Sequence, residues 1–306
     1  MHYLITGGAG FIGSHFVEHL ANDNQITVFD NYSTGHNIFR HKNVNYVTGD
    51  ITDLSSLQQL QQPVDVVIHL AAALSVTESM QNPAKYHKIN VLGSQNVYDT
   101  ASRLSARTIV SASSAAVYGD CGRAHITESF PYAGISPYAS SKFEMEQLHA
   151  NNAKMIFTRF FNVYGPRQDP RSPYTGVITA FMQRARSNQP LTIFGDGNQT
   201  RDFVFVKDLV RFVVDLVTLG AEGIFNIGTE LETSIVNLAN IISTFGSGGV
   251  VFEAERNGDI KYSVSDCAKL KGIVSFEQKT VLEKGVEKTW EWFVKGNGHE
   301  WIHSEL

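Results

Sequence analysis

The sequence contains only two cysteines, Cys121 and Cys267, among 306 residues. At most one disulfide could form, which excludes a disulfide-stapled secreted scaffold and makes a reducing cytoplasm the expected location. The chain has no run of about 18 apolar residues, so we expect no membrane span. The first predicted strand begins almost at Met1, which leaves no space for a signal peptide. Internal repeats and low-complexity segments are also absent from the sequence.

An excess of positive charge is missing as well. The chain has 25 basic and 30 acidic residues, for a net charge of −5. Nucleic-acid binding usually requires a strongly basic face, so we expect neither nucleic acid nor a membrane as a partner. Hydrophobic residues make up 42% of the chain, which is enough for a full-sized core and about two domains.

The start of the chain has the pattern of a nucleotide-binding unit. His2–Thr6 has the composition of a buried strand, and Ser14–Ala21 that of a helix. Between them, Gly7, Gly10 and Gly13 have G-x-x-G-x-x-G spacing. Such glycines permit a tight turn, close approach of a pyrophosphate and close packing of the helix on the strand. The helix N-terminus supplies free N–H groups for the anion.

An acidic residue then indicates which dinucleotide binds. The second predicted strand, Gln25–Phe29, is followed by Asp30, twenty residues after Gly10. A carboxylate there accepts hydrogen bonds from the ribose hydroxyls and repels a 2′-phosphate. No arginine occurs in the next nine positions, so NAD is favoured over NADP. A turn aspartate at the end of a strand is the alternative.

Strands and helices continue to alternate. The next predicted elements are strand Val44–Val47, helix Asp53–Gln61, strand Val64–Leu70, helix Pro83–Arg103 and strand Thr108–Ser111. This order predicts an α/β fold with a Rossmann-type doubly wound parallel sheet, whose site lies at the carboxyl ends of the strands. Ser113 and Ser114 lie at such an end.

Tyr138 and Lys142 are four residues apart, so on a helix they share a face. A nearby ammonium is expected to lower the phenol pKa from its ordinary value of about 10. Ser114, from another segment, could hydrogen-bond to the same substrate oxygen. The three residues therefore predict a phenolic acid/base that acts on a hydroxyl group. An exposed Tyr–Lys pair without function is the alternative.

Together these motifs resemble the extended short-chain dehydrogenase/reductase family, and within it the nucleotide-sugar 4-epimerases. The resemblance runs from residue 3 to about 270 and rests on Thr6–Gly13, Phe29–Asn31, Gly49–Ile51, His69–Ala72, Ser113–Gly119, Tyr138–Lys142, Arg159–Arg167, Gly195–Phe203 and Arg256–Asp259. It implies that Tyr138 removes the proton of the sugar 4-hydroxyl, that Ser114 shares this hydrogen bond, and that Lys142 binds the nicotinamide ribose. The implied product is a transient 4-keto sugar that is reduced again on its other face.

The resemblance also implies the binding residues. Those for NAD are Gly7, Gly10, Phe11, Ile12, Gly13, Asp30, Asn31, Asp50, Ile51, Leu70, Ala71, Ala72, Asn90, Tyr138 and Lys142. Those for a UDP-sugar are Ser75, Ser114, Asn162, Val177, Thr192, Phe194, Arg201, Arg256 and Ser263. The family places the residue at position 263 beside the sugar C2 substituent. The small Ser263 predicts that UDP-GlcNAc and UDP-GalNAc are accepted together with UDP-glucose and UDP-galactose. Leu74 departs from the pattern, because some UDP-glucose epimerases have a substrate-binding lysine there.

Two other activities remain open. Nucleotide-sugar 4,6-dehydratases resemble the chain but carry an Asp-Glu pair after the position of Ser114, where this chain has Ala115 and Ala116. Alanine cannot transfer a proton, which disfavours elimination of water. A non-catalytic NAD(H)-binding regulator is the second alternative, but such proteins typically lose the tyrosine or the lysine.

The expected domains are an NAD-binding domain at 1–165 and a mainly substrate-binding α/β domain at 166–306, with segments near 203–208 and 225–228 returning to the first. By resemblance, helices 83–103 and 138–150 form the contact of a homodimer. His299 and His303 lie in an H-E-x-x-H pattern typical of zinc sites. Its place at the chain end, with no third ligand in view, argues against a metal.

Overall fold

The computed structural model describes residues 1–170, 176–246, 248–256, 258–277, 280–295 and 301–302. The strands are β1 His2–Thr6, β2 Gln25–Asp30, β3 Ile38–Phe39, β4 Val44–Thr48, β5 Val66–His69, β6 Thr108–Ser114, β7 His125–Ile126, β8 Lys154–Phe160, β9 Asn162–Tyr164, β10 Leu191–Phe194, β11 Thr200–Phe205, β12 Gly223–Ile227, β13 Glu232–Ser234, β14 Val250–Glu253, β15 Val264–Ser265 and β16 Trp301–Ile302.

The α-helices are α1 Phe11–Leu20, α2 Leu54–Leu57, α3 Val76–Gln81, α4 Pro83–His87, α5 Gly93–Arg103, α6 Pro137–Glu146, α7 Val177–Arg186, α8 Val206–Thr218, α9 Ile235–Ser243, α10 Ala268–Lys271 and α11 Leu282–Lys295. A π-helical turn at Lys88–Leu92 joins α4 to α5, and a 3₁₀ turn at Ala115–Tyr118 follows β6.

A seven-stranded parallel sheet forms the centre of the molecule, with strand order β12-β8-β6-β5-β1-β2-β4. From β1 the chain moves outward through β2 and β4, and then returns to the other side of β1 with β5. The order therefore reverses between β1 and β5, which is where such sheets bind their ligands. The predicted doubly wound fold is confirmed.

Apolar residues line both faces of this sheet because helices cover both, as parallel sheets require. On one face, Phe16 of α1 packs in the same core as Leu209 and Phe212 of α8. On the other face, Tyr98 of α5 and Met145 of α6 belong to a second core. Helix α6, which carries Tyr138 and Lys142, is thus packed into the second core.

The second half of the chain contributes to two places. Strands β9, β11 and β13 form a small sheet, β10 pairs with β14, and α7, α9 and α11 share a core with them. Strand β12 instead pairs with β8 at the edge of the large sheet. The chain therefore crosses back to the nucleotide-binding half after residue 200.

Two predicted helices differ from the structure. The helix expected over Asp53–Gln61 is regular only at Leu54–Leu57, after which Gln59 and Leu60 continue in i→i+3 turns. The long helix expected over Pro83–Arg103 contains the π turn. There the Ser94 hydroxyl donates to the carbonyl oxygen of Asn90 at 2.6 Å, a contact that bends helices.

Among the described residues, no helix combines the length and apolarity that crossing a bilayer would need.

Candidate active site

The glycine turn between β1 and α1 is shaped by close backbone contacts. Gly7 has a φ of +71°, and a Cβ there would lie 2.7 Å from the Ala71 nitrogen. A Cβ on Gly13 would lie 2.2 Å from the Gly7 oxygen. The amides of Phe11 and Ile12 lie in the first turn of α1, where helix N–H groups lack intrahelical partners. This cradle fits the pyrophosphate of a dinucleotide.

Asp30 ends β2 beside this turn and is 8% exposed. Its Oδ2 accepts from the Ala9 amide and its Oδ1 from the Tyr32 amide, both at 2.9 Å. Burial raises the pKa of Asp30, against these hydrogen bonds. Asp30 thus holds the glycine turn, and its remaining lone pairs are available for a ribose.

Neighbouring loops complete the cofactor edge. Asn31 donates to Asp50 Oδ2 at 2.9 Å, and the carbonyl oxygen of Ile51 accepts from Asn96 of α5 at 3.0 Å. The loop after β2 folds onto the glycine turn, because the Asn37 amide donates to the Ala9 oxygen at 2.9 Å. Sequence reasoning missed this loop, although its Gly35 was a signal: a Cβ there would lie 2.5 Å from Gly10 Cα.

Asn90, predicted as a cofactor contact, binds the backbone of the segment after β5. Its Oδ1 accepts from the Ala73 amide at 2.8 Å, and its Nδ2 donates to the Ala73 oxygen at 3.0 Å. The same Nδ2 donates to the Ser141 hydroxyl at 2.9 Å. This hydroxyl donates to the backbone carbonyl oxygen of Tyr138 at 2.8 Å. Asn90 therefore links Ala73, in the segment after β5, to α6.

A buried histidine that sequence reasoning missed extends this series of hydrogen bonds. The Ser94 hydroxyl donates its proton to Asn90, so it accepts from His69 Nε2 at 2.8 Å. His69 Nδ1 then accepts from the Thr6 hydroxyl at 2.6 Å. Burial, together with the charge of Lys142, lowers the pKa of His69 to about 3. His69 is therefore neutral and links the end of β1 to the π turn.

The structure brings the predicted catalytic residues together. Ser114 ends β6, and Tyr138 and Lys142 lie on α6, which begins with the N-cap Ser136 followed by Pro137. The Tyr138 phenol lies close enough to the Ser114 side chain to be influenced by it, and the Ser114 hydroxyl oxygen accepts from the Ala116 amide at 3.2 Å. The Lys142 ammonium donates to the Ala112 carbonyl oxygen at 2.8 Å. Tyr138 is 8% exposed and Lys142 3%.

The predicted lowering of the Tyr138 pKa is wrong for this geometry. Burial raises the pKa of Tyr138, and the Ser114 side chain only partly opposes it. Burial also lowers the pKa of Lys142 to about 8, against the attraction of Glu146. Helical spacing predicted that the two residues share a face of α6, but it did not predict the desolvation of both, which dominates their pKa values here.

A buried ion pair behind Lys142 also escaped sequence reasoning. Glu146 of α6 accepts from Arg159 of β8 through both of its carboxylate oxygens, at 2.9 and 2.6 Å. The Ser113 hydroxyl donates to Glu146 as well. The Arg159 guanidinium also stacks over the Tyr118 ring, 4.7 Å from its centroid.

The residues predicted to bind a diphosphate lie in the second half of the molecule. Arg201 of β11 donates to Asp259 Oδ1 at 2.7 Å and to the Thr200 oxygen at 2.8 Å. The Arg256 guanidinium lies 3.6 Å from the Phe194 ring centroid. Asp120 is close enough to act on the charge of Arg201, and it lies in the loop six residues after Ser114. Arg201 therefore lies near the loop that follows β6.

The other predicted substrate residues occupy different positions around this region. Asn162 begins β9 beside Phe203 of β11, and Thr192 lies on β10. The Ser263 carbonyl oxygen accepts from the Asp202 amide at 2.9 Å, which places Ser263 next to Arg201. Val177 begins α7. Ser75 caps α3 by accepting from the Glu78 amide at 2.9 Å, and Leu74 beside it is 56% exposed.

The zinc pattern lies largely beyond the described part of the chain. His299, Glu300 and His303 are outside it, and nothing is concluded about them. Within the described ranges, no group of three or more His, Cys, Asp and Glu side chains is arranged to hold a metal ion.

The chain is similar to known proteins over most of its length. Residues 3–228 match the model of the NAD dependent epimerase/dehydratase family. The chain is 34% identical to the UDP-glucose 4-epimerase of Mycolicibacterium smegmatis, over 96% of this chain and 98% of that protein. It is 33% identical to UDP-glucuronic acid decarboxylase 1 of Xenopus tropicalis, over 97% of this chain and 73% of that protein.

A solved structure is equally similar. UDP-N-acetylglucosamine 4-epimerase from Methanobrevibacter ruminantium M1, in complex with UDP-N-acetylmuramic acid, superposes with a TM-score of 0.90. The two are 32% identical, and the match covers 96% of this chain and 98% of that one. The resemblance seen in the motifs is confirmed, and the chain belongs to the NAD-dependent epimerase/dehydratase family.

Proposed function

We propose that this enzyme is a UDP-sugar 4-epimerase that interconverts UDP-GlcNAc with UDP-GalNAc and UDP-glucose with UDP-galactose. The observation that carries the proposal is the contact of Tyr138 with Ser114, directly before Ala115 and Ala116. The site thus places a phenol and a serine hydroxyl, both able to exchange protons, next to two side chains that cannot.

Each side chain of the site has a separate proposed role. Tyr138 takes the proton from the sugar 4-hydroxyl, and Ser114 hydrogen-bonds to the same oxygen. Lys142 is anchored on the Ala112 carbonyl oxygen, and from there it would bind the nicotinamide ribose and supply positive charge for the reacting oxygen. Bound NAD⁺ supplies hydride acceptance and return. The residues Gly7, Gly10, Gly13 and Asp30 hold the dinucleotide, so the protein contributes orientation and electrostatics.

The absence of an acid–base pair at positions 115 and 116 distinguishes epimerisation from dehydration. A 4-keto hexose loses water only if the site supplies a base at C5 and an acid at C6, whereas loss of carbon dioxide requires a substrate with a C6 carboxylate. Two alanines give no such assistance, and the ketone then accepts the hydride again. Relatives include a UDP-glucuronic acid decarboxylase, so the product of the reaction needs to be identified directly.

Substrate recognition is assigned to the second half of the molecule. Arg201 and Arg256 suit a diphosphate because guanidinium groups bind phosphate oxygens in pairs. The half-buried Ser263 next to Arg201 leaves space at the sugar C2. A similar structure is a UDP-N-acetylglucosamine 4-epimerase, which supports the N-acetylated substrates.

Incubation of the purified protein with UDP-GlcNAc, without added cofactor, tests the proposal. UDP-GalNAc as product, identified by chromatography and NMR, is the expected result. A 4-keto-6-deoxy sugar would indicate a dehydratase. Loss of carbon dioxide from UDP-glucuronic acid would indicate a decarboxylase. No turnover of any UDP-hexose would overturn the proposal.

We further propose a homodimer formed through α5 and α6 and the turn that precedes α5. Leu92 of that turn is 52% exposed, as an apolar residue in a subunit contact would be in a single chain. Light scattering after size-exclusion chromatography tests this, and a mass near 33.9 kDa would contradict it.

A further inference from the structure

Glu146 lies on α6 one helical turn beyond Lys142 and is completely buried. Its side chain is 0% exposed and that of Arg159 is 5%. Arg159 donates to both carboxylate oxygens through Nε and Nη2, at 2.9 and 2.6 Å. The Ser113 hydroxyl donates to Oε1 at 2.5 Å. Three side chains from three different elements therefore meet in one closed polar cluster.

Stability does not explain why this cluster is charged. Removing two charges from water costs so much that a buried ion pair is often no more stable than apolar residues of the same volume. The cores on either side of the sheet show that apolar packing is available nearby. A role in the register of two elements is the best-attested use of such pairs.

The position of the cluster relative to the catalytic residues indicates what is held in register. Three successive residues at the end of β6 each contact one residue of α6, and those residues are spaced by four. Tyr138 contacts Ser114, Lys142 contacts the Ala112 oxygen, and Glu146 contacts Ser113. The three residues of α6 lie along one face of the helix. Two of them are the proposed catalytic residues, and the third is Glu146.

We propose that Glu146, fixed by Arg159 and Ser113, is a positioning residue that holds α6 on the end of β6 and keeps the Lys142 ammonium in place for proton transfer at Tyr138. The inference rests on the proposed function. Arg159 reaches Glu146 from β8 and is paired with Ser113 in the sheet register. The carboxylate is thus oriented from the sheet as well as from the helix.

The charge of Glu146 supports the same positioning role as its hydrogen bonds. The negative charge of Glu146 favours the protonated form of Lys142 and opposes the burial that lowers the pKa of Lys142 to about 8. The other titratable groups that interact with Lys142 or Glu146 are His69, Tyr98, Tyr118 and Arg159. His69 is neutral and the two tyrosines stay protonated, since burial raises the pKa of each. Glu146 is therefore an acidic group that acts on both Lys142 and Arg159.

The test separates positioning from stability with an apolar replacement of the whole cluster. The triple variant S113A/E146M/R159M removes every polar group of the cluster while keeping its volume, so its melting temperature should stay close to that of the wild type. The single variant S113A keeps the ion pair and removes only the hydrogen bond between Glu146 and β6. Glu287→Gln, on the surface of α11, is the control for loss of one carboxylate.

Each variant is measured by three methods. Steady-state epimerisation gives kcat and KM as a function of pH. Reduction of bound NAD⁺ by UDP-hexose in a single turnover is followed at the absorbance of NADH. Exchange of labelled NAD⁺ out of the holoenzyme reports whether Lys142 is held, whichever product the enzyme makes.

For the triple variant we expect kcat to fall about tenfold or more, KM to stay unchanged and the alkaline limb of kcat to move to lower pH. NAD⁺ exchange should accelerate. S113A should lower kcat several-fold at an unchanged melting temperature. A stable triple variant with wild-type kcat, pH profile and NAD⁺ exchange would overturn the proposal. If the triple variant does not fold, wild-type values for S113A would overturn it. If the wild type forms no epimer, the proposed function fails, while NAD⁺ exchange in the same variants still decides the role of Glu146.

Discussion

The Lys142 ammonium donates to the carbonyl oxygen of Ala112 at 2.8 Å, two residues before Ser114 on the same strand. A cation that the resemblance assigns to the cofactor ribose is thus already oriented by the backbone of β6. Because the strand ends at Ser114, one piece of backbone sets the positions of both the charge and the hydroxyl that serve Tyr138. Preorganisation of this kind lowers the cost of reaching the transition state.

Tyr138→Phe tests the acid/base directly. The change removes only the phenol oxygen, so we expect kcat to fall about 10²–10⁴-fold with little change in KM. The T-shaped contact with Tyr86, at 6.3 Å between ring centroids, should persist and preserve folding. Product formation and thermal unfolding are the measurements. Residual activity within threefold of the wild type would exclude Tyr138 as the base.

Gly13→Ala tests the cofactor cradle. The added Cβ would meet the Gly7 oxygen at 2.2 Å, so the turn must open. We expect a loss of roughly 1–3 kcal/mol in the free energy of unfolding, and loss of co-purifying NAD. Gly272→Ala is the matched control, because its Cβ would lie 3.5 Å from the nearest atom. Equal NAD content in both variants would contradict the assignment of the turn.

Arg256→Met tests the diphosphate contact. The guanidinium lies on Phe194 and can be removed without opening the core, since Arg256 is exposed. We expect KM for UDP-sugars to rise about 10–100-fold, which corresponds to a charge-assisted hydrogen bond, with kcat less affected. Arg107→Met, at an exposed ion pair with Asp65, is the control. Unchanged KM would remove Arg256 from the substrate site.

Ser263→Tyr tests substrate choice. A phenol at the position beside Arg201 should fill the space proposed for the N-acetyl group. Turnover of UDP-GlcNAc should be abolished, while turnover of UDP-glucose is retained. Both substrates are assayed with the same enzyme preparation. Equal loss of the two activities would contradict the proposed role of Ser263.

His69→Gln tests acid stability. The pKa of His69 is lowered to about 3 in the folded protein and is about 6.5 when unfolded. Between these values the unfolded chain binds one more proton, so stability falls as pH falls from 6.5 towards 3. The variant should lose stability at neutral pH but show a shallower decline below pH 6.5. His19→Gln, an exposed position on α1, is the control in urea titrations at several pH values. Parallel declines for wild type and His69→Gln would contradict the expectation.

Local patterns predicted the parts of the site that depend on neighbouring residues. The glycine turn, Asp30 at the end of β2 and the spacing of Tyr138 and Lys142 all lie within short segments. The Rossmann-type sheet followed from the alternation of strands and helices. These features depend on backbone conformation and periodicity, which the sequence displays directly.

Contacts between distant segments could not be predicted in the same way. Glu146, Arg159 and Ser113 meet only once β6, β8 and α6 are packed, and His69 meets Ser94 only across β5 and α5. The predicted direction of the Tyr138 pKa shift was wrong for the same reason. Its direction depends on how much water the fold removes, and spacing along a helix does not contain that quantity.

Strand β12, which pairs with β8 from residues 223–227, has a consequence for how the protein is made. A ribosome must synthesise more than two thirds of the chain before the large sheet gains its last strand and α8 covers α1. Until then the edge of β8 is open to other chains. A fragment that ends at residue 165 should therefore aggregate. The two halves of the enzyme must be synthesised as one chain for the sheet to be completed.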